Sequence, residues 1–187
     1  MNPLKKLAEQ TVVYGLSSVI GRLLNYLLVP LYTRFFAPED YGVVTELYAY
    51  VAFLVILLTY GLETAFFRFS KAEKNTAKAY STALISLIVT SCVFVFLALV
   101  SSESIANYMG AGIKQIYIQY FAVIVSLDAV SSITFAKLRQ DEKAFRFATI
   151  KLFGILVNIA LNVYFILFKE LLEIEYIFIS NLISSIV

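Results

Sequence analysis

From residue 79 to residue 102 the sequence contains no charged side chain. A helix needs roughly 20 mostly apolar residues to cross the hydrocarbon of a bilayer, so this run predicts a membrane-spanning helix. Four other runs have similar character. They lie at about 11–32, with Arg22 as the one charge, and at about 43–67, with Glu46 and Glu63 near the ends. The others lie at about 115–136, with Asp128 alone, and at about 152–168, with no charge. A sixth run begins near Tyr176 and is still apolar at Val187, too few residues to cross. The expectation is an all-α membrane protein, a polytopic helical bundle of about six transmembrane helices. The sixth is expected to be truncated, with residues 1–187 forming a single transmembrane domain, the expected N-terminal piece of a longer protein.

Composition supports this reading and removes several classes. The chain is 60% hydrophobic and 15% charged, whereas soluble domains average about 45–50% and 25%. A cytosolic enzyme, a disulfide scaffold and a disordered tail are therefore excluded. The net charge is only +2 and the basic residues form no continuous stripe, which argues against nucleic acid as a partner. With no His and one Cys, no His/Cys metal site or Cys–His nucleophile can be built. Cys92 lies in an apolar run and is expected to be packed and inert. There is no glycine-rich phosphate loop and no Ser–His–Asp set, and Asp141-Glu142 reads as solvated charge. No catalytic residue, metal or cofactor is expected.

Loop charge sets the orientation, because Lys and Arg accumulate on the cytoplasmic side. Lys5 and Lys6 precede the first run, Arg68, Lys71, Lys74 and Lys78 follow the second, and Lys137, Arg139, Lys143, Arg146 and Lys151 follow the fourth. The alternate loops hold only Arg34, Lys114 and Lys169, among Glu39, Asp40, Glu103, Glu170, Glu173 and Glu175. The N-terminus is thus expected in the cytoplasm. The first run is too long for a signal peptide and carries Arg22 within it. Residues 3–10 are compatible with a short interfacial helix, Leu4, Leu7 and Ala8 facing lipid. Tyr14, Tyr32, Tyr41, Tyr108, Tyr117 and Tyr176 fall near span ends, where an aromatic ring with a polar tip suits the interface.

Polar groups inside the spans carry the functional signal, because charge in hydrocarbon is costly and normally faces a cavity or a partner. Ser18, Arg22 and Asn25 recur at i, i+4 and i+7 and form one stripe on the first helix. Arg22 either packs against an acid or lines a substrate pathway. Asp128, with Ser131 and Ser132 one turn on, is its expected counter-charge, the alternative being a proton or sodium site. Asn158 and Asn162 share a face of the fifth helix and are expected mainly to hydrogen-bond a neighbouring helix. Pro30 permits a bend late in the first helix, and Gly15 and Gly21 are expected to allow close helix approach.

The run AEQTVVYGLSSVIGR at 8–22, continuing to LVPLYTR at 28–34, resembles the first helix of polysaccharide-biosynthesis flippases. YGVVTELYAY at 41–50 and YGLETAFFRF at 60–69 extend the resemblance, which is most specific over residues 8–69. The family is that of the Wzx-type lipid-linked oligosaccharide flippases of the multidrug/oligosaccharidyl-lipid/polysaccharide exporter superfamily. The resemblance implies one lobe of a two-lobe transporter in the bacterial inner membrane. Such a protein moves an undecaprenyl-diphosphate-linked glycan outward by alternating access through a cationic cavity. It also implies that Arg22 lines that cavity, with Asn25, Glu63 and Arg68 as neighbours; Asp128, as the expected counter-charge, joins them as a cavity candidate. Lipid-linked oligosaccharide, membrane lipids and the polysaccharide polymerase machinery are the implied partners. A cation-coupled multidrug exporter would use Asp128 but has no need of Arg22. A non-transporting assembly partner has no need of either charge, and a membrane glycosyltransferase lacks its acidic motif.

Overall fold

The computed structural model describes residues 3–72, 76–110, 112–169, 171 and 173–187, excepting the side chains of 3–10, 71 and 72. Lys5, Lys6, Lys71, Lys74, Glu170 and the lipid-facing assignment of Leu4, Leu7 and Ala8 lie outside what is described. Among the described residues every regular element is helical. The helices are α1 (Pro3–Tyr26), α2 (Leu28–Phe35), α3 (Pro38–Thr59), α4 (Leu62–Ala72), α5 (Thr76–Met109), α6 (Gln115–Gln140), α7 (Ala144–Val163) and α8 (Glu175–Ile186). A π-helical turn, Tyr164–Phe168, extends α7. Five stretches are long and apolar enough to cross a membrane: Thr11–Phe35, Pro38–Ser70, Thr76–Met109, Gln115–Gln140 and Ala144–Phe168.

The expected boundaries change in five places. The first span breaks at Leu27, because Pro30 offers no N–H to the Tyr26 carbonyl and its ring crowds that carbonyl. The Leu27 amide instead donates to the Leu23 and Leu24 carbonyls at 3.1 and 3.2 Å. Residues 3–10 are continuous with α1 and form no separate helix. The second span ends one helix at Tyr60 (φ 33°) and starts another after Gly61 (φ 76°), a left-handed stop in which glycine carries no Cβ penalty. The fifth helix begins at Ala144 and not near 152, so Arg146 and Lys151 are helical residues and not loop charges. α5 spans 34 residues, about 51 Å at 1.5 Å per residue, well beyond the 79–102 window.

Side-chain pairings give the relative directions. α1 and α7 run parallel: Tyr14 meets Phe147 (ring centroids 5.1 Å), Ser18 meets Lys151, and Gly21 meets Ile155. α6 and α8 are parallel to each other: Tyr120 meets Glu175, Phe121 meets Phe178 (ring centroids 4.9 Å) and Asp128 meets Ser185. α7 is antiparallel to α8, as Ser184 against Gly154 and Tyr176 against Phe165 require. Helices one crossing apart therefore alternate in direction. The buried aromatic knot of Tyr117, Phe121 and Phe178, with Tyr48 from α3, fixes α3, α6 and α8 together. Aromatic edge-to-face pairs contribute about 0.5–1.5 kcal/mol each beyond their burial.

Three packing expectations are corrected. Tyr32 and Tyr117 are buried in this core and do not present their rings to the surroundings. Cys92 is exposed on the outer face of α5 and is not packed. Gly15 has open space where a Cβ would stand, whereas a Cβ on Gly21 would lie 2.7 Å from Ile155 Cδ1. Only Gly21 serves the α1–α7 approach.

Candidate functional site

Because α1 and α7 are parallel, residues spaced three or four apart on each form one continuous seam. On α7 these are Phe147, Lys151, Gly154, Asn158 and Asn162. Opposite them stand Tyr14, Ser18, Gly21 and Asn25, with Tyr32 of α2 at the far end. Beside the seam, α6 and α8 stand away from α1 and leave a cavity of about 520 Å³. Its polar lining includes Asn25, Asp128, Lys151, Asn158, Asn181 and Ser185.

The cavity's charges are held unequally. Lys151 Nζ donates to Ser18 Oγ at 3.3 Å and lies 5.5 Å from the centre of the Phe147 ring. Among the described residues it has no carboxylate partner. Asp128 Oδ1 accepts from Ser185 Oγ at 3.1 Å and likewise has no cation partner among them. Ser184 donates to the Gly154 carbonyl at 2.7 Å, closing the α7–α8 wall. Asn181 donates to the Tyr48 hydroxyl at 2.7 Å, which ties that wall to α3.

The expected ion pair between Arg22 and Asp128 does not form. Arg22 is exposed and without a hydrogen-bond or ion-pair partner among the described residues, while Asp128 is turned toward α8. Asp128 is engaged instead by Ser185 of α8, and Arg22 does not line the cavity that Asp128 faces. Arg22 does lie close enough to Lys151 for the two like charges to interact.

The other candidates divide. Asn25 and Asn158 line the cavity, and Ser18 braces Lys151. Asn162 is buried and accepts from the Tyr32 hydroxyl at 2.9 Å, a packing role. Ser131 lines the cavity with Asp128, but Ser132 turns back to the Ala129 carbonyl. Glu63 is not in the cavity; it accepts from Arg139 Nη2 at 2.6 Å. Arg68 is exposed on α4 and does not reach the cavity either. The residue missed by sequence reading is Lys151, which the apolar window cut off from its helix. Its place on the stripe from Phe147 to Asn162 was the available signal.

Over residues 31–187 the chain matches the polysaccharide biosynthesis protein family. The chain belongs to that family. No curated protein and no solved structure matches it significantly. The match begins inside α2, so it takes in the α6, α7 and α8 walls of the cavity and leaves out α1 with Ser18, Arg22 and Asn25. The protein is a multi-pass membrane member of the polysaccharide-biosynthesis family, and its polar cavity lies among its membrane-spanning helices.

Proposed function

We propose that this protein flips an undecaprenyl-diphosphate-linked oligosaccharide across the bacterial cytoplasmic membrane by alternating access, for surface polysaccharide or O-antigen biosynthesis. It makes and breaks no bond, and its N-terminus faces the cytoplasm. The observation that carries this reading is the neighbouring pair Lys151 and Arg22, two cations in spanning segments that no described carboxylate neutralises. Uncompensated charge at that depth is costly unless a ligand supplies the counter-charge. A lipid diphosphate does so: guanidinium meets phosphate oxygens with two parallel hydrogen bonds, and the ammonium adds a mobile point charge. The amides and hydroxyls further along the cavity suit a glycan.

The test is export of surface glycan by the full-length protein, with membrane abundance measured in parallel. Arg22→Ala and Lys151→Ala should each block export and leave lipid-linked glycan in the inner leaflet, and Arg22→Lys should retain part of it. Normal export by a double alanine variant at normal abundance would overturn the reading.

Asp128, without a cation partner among the described residues, supports a second reading, a cation-coupled exporter. There, Asp128→Asn should abolish transport, and export should stop when the sodium or proton gradient is collapsed.

A further inference from the structure

Asn158 is held in one orientation by a chain of bonds whose polarity can be worked out. The backbone carbonyl of Asn158 can only accept, and the Asn162 amide stands 2.9 Å from it. That atom must therefore be Asn162 Nδ2 and not Oδ1. The same Nδ2 lies 2.8 Å from the Asn158 side chain, so the facing atom there is Oδ1. Asn162 Oδ1 is left to accept from Tyr32, whose hydroxyl lies 2.9 Å away and is buried with it. With its oxygen so used, Asn158 turns its NH2 group to the cavity it lines. That nitrogen has no protein partner among the described residues and is not sealed off.

The cavity side of α7 is thus a row of donors: Lys151 first, then Asn158 seven residues on, about 10 Å further along the axis. We infer that Asn158 is a specificity-determining contact, whose fixed NH2 donates to an acceptor oxygen of the sugar joined to the diphosphate. Tyr32 and Asn162 are its positioning residues. This rests on the flippase reading: a diphosphate at Lys151 leaves its sugar to extend along the same helix face. A glycan with a hydroxyl or carbonyl oxygen at that point is accepted, and one that presents only donors is not.

The test compares two ligands on the full-length protein in lipid nanodiscs: a polyprenyl diphosphate carrying the glycan, and the same lipid diphosphate bare. Asn158→Ala leaves the Asn162 bond to the residue 158 carbonyl intact. It should weaken glycan-lipid binding roughly three- to tenfold, the range of one lost hydrogen bond, and leave bare-lipid binding within about twofold. Lys151→Ala should weaken both. Asn162→Asp removes the donor, so Asn158 must turn its NH2 inward and its oxygen to the cavity. The same selective loss should follow, although residue 162 touches no ligand. Unchanged glycan-lipid binding by Asn158→Ala, or equal loss for both lipids, would overturn the inference and leave the flippase reading standing. Failure of the unaltered protein to bind either lipid would overturn the flippase reading itself.

Discussion

Arg139 Nη2 donates to Glu63 Oε1 at 2.6 Å, and that ion pair fastens the short helix α4 to the end of α6. The Arg139 guanidinium also lies over the Phe67 ring at 5.6 Å and the Phe147 ring at 6.0 Å, so it touches α4, α6 and α7 at once. Both side chains are about a third exposed, which limits the ion pair to roughly 1 kcal/mol. Each ring contact contributes about 0.5–1 kcal/mol. Arg139→Gln should therefore lower the melting temperature in detergent more than Glu63→Gln. Equal losses would show that the rings contribute nothing.

Asp128 and Arg22 should behave independently. Asp128 is bonded to Ser185 on α8 and lines the cavity, whereas Arg22 on α1 does not line it. Sites without shared partners add to within about 0.5 kcal/mol. The loss of folded protein in Asp128→Asn/Arg22→Gln should therefore equal the sum of the single losses. Recovery in the double variant would mean that the two side chains meet.

Gly21 sets the separation of α1 and α7. A Cβ there would lie 2.7 Å from Ile155 Cδ1, so Ile155 must shift to admit even the first carbon of a side chain. Overpacking of this kind costs about 1–3 kcal/mol, so Gly21→Leu should destabilise the protein and detach Ser18 from Lys151. Adding Ile155→Ala should restore much of the stability. If it restores none, the obstruction lies elsewhere.

Asp141, in the turn between α6 and α7, accepts from Lys137 and also from Lys143 at 3.3 Å. The Lys137 hydrogen bond, helped by Lys143, holds its carboxyl below the ordinary carboxylate range. A lowered folded-state value means that the stabilisation is complete above the unfolded value, near pH 4, and fades as pH falls through the lowered one. Thermal stability should drop over that acid window in the unaltered protein and drop less in Asp141→Asn. Matching profiles would remove Asp141 from the acid response.

Orientation can be read by thiol labelling in a Cys92→Ser background. Glu142→Cys should be shielded from impermeant reagents in intact cells, and Asn107→Cys should react. The reverse pattern would invert the bundle.

What was legible in the sequence was whatever hydropathy alone determines. The uncharged run at 79–102 lies within α5, and the regular alternation of loop charge agrees with helices that alternate in direction. What was not legible depended on which helices are neighbours. Opposite charge suggested Arg22 with Asp128, but charge says nothing about which helices meet: α1 packs on α7, and Asp128 of α6 bonds to Ser185 of α8. Lys151 was lost for a simpler reason: a hydropathy window closes at a charge, whereas a helix carries a long basic side chain without interruption. Asn158 and Asn162 share a face, as their spacing required. Only the Tyr32 hydroxyl decides that one is packed and the other open to the cavity.

The parallel seam between α1 and α7 also governs the order of assembly. Ser18 and Lys151 are 133 residues apart. At synthesis rates of about 5–20 residues per second, α1 waits on the order of ten seconds before its partner emerges. During that interval Ser18 and Asn25 lack the α7 residues that they face in the finished protein. Sequence changes that slow translation between α1 and α7 would then lower the yield of inserted protein without altering a single native contact.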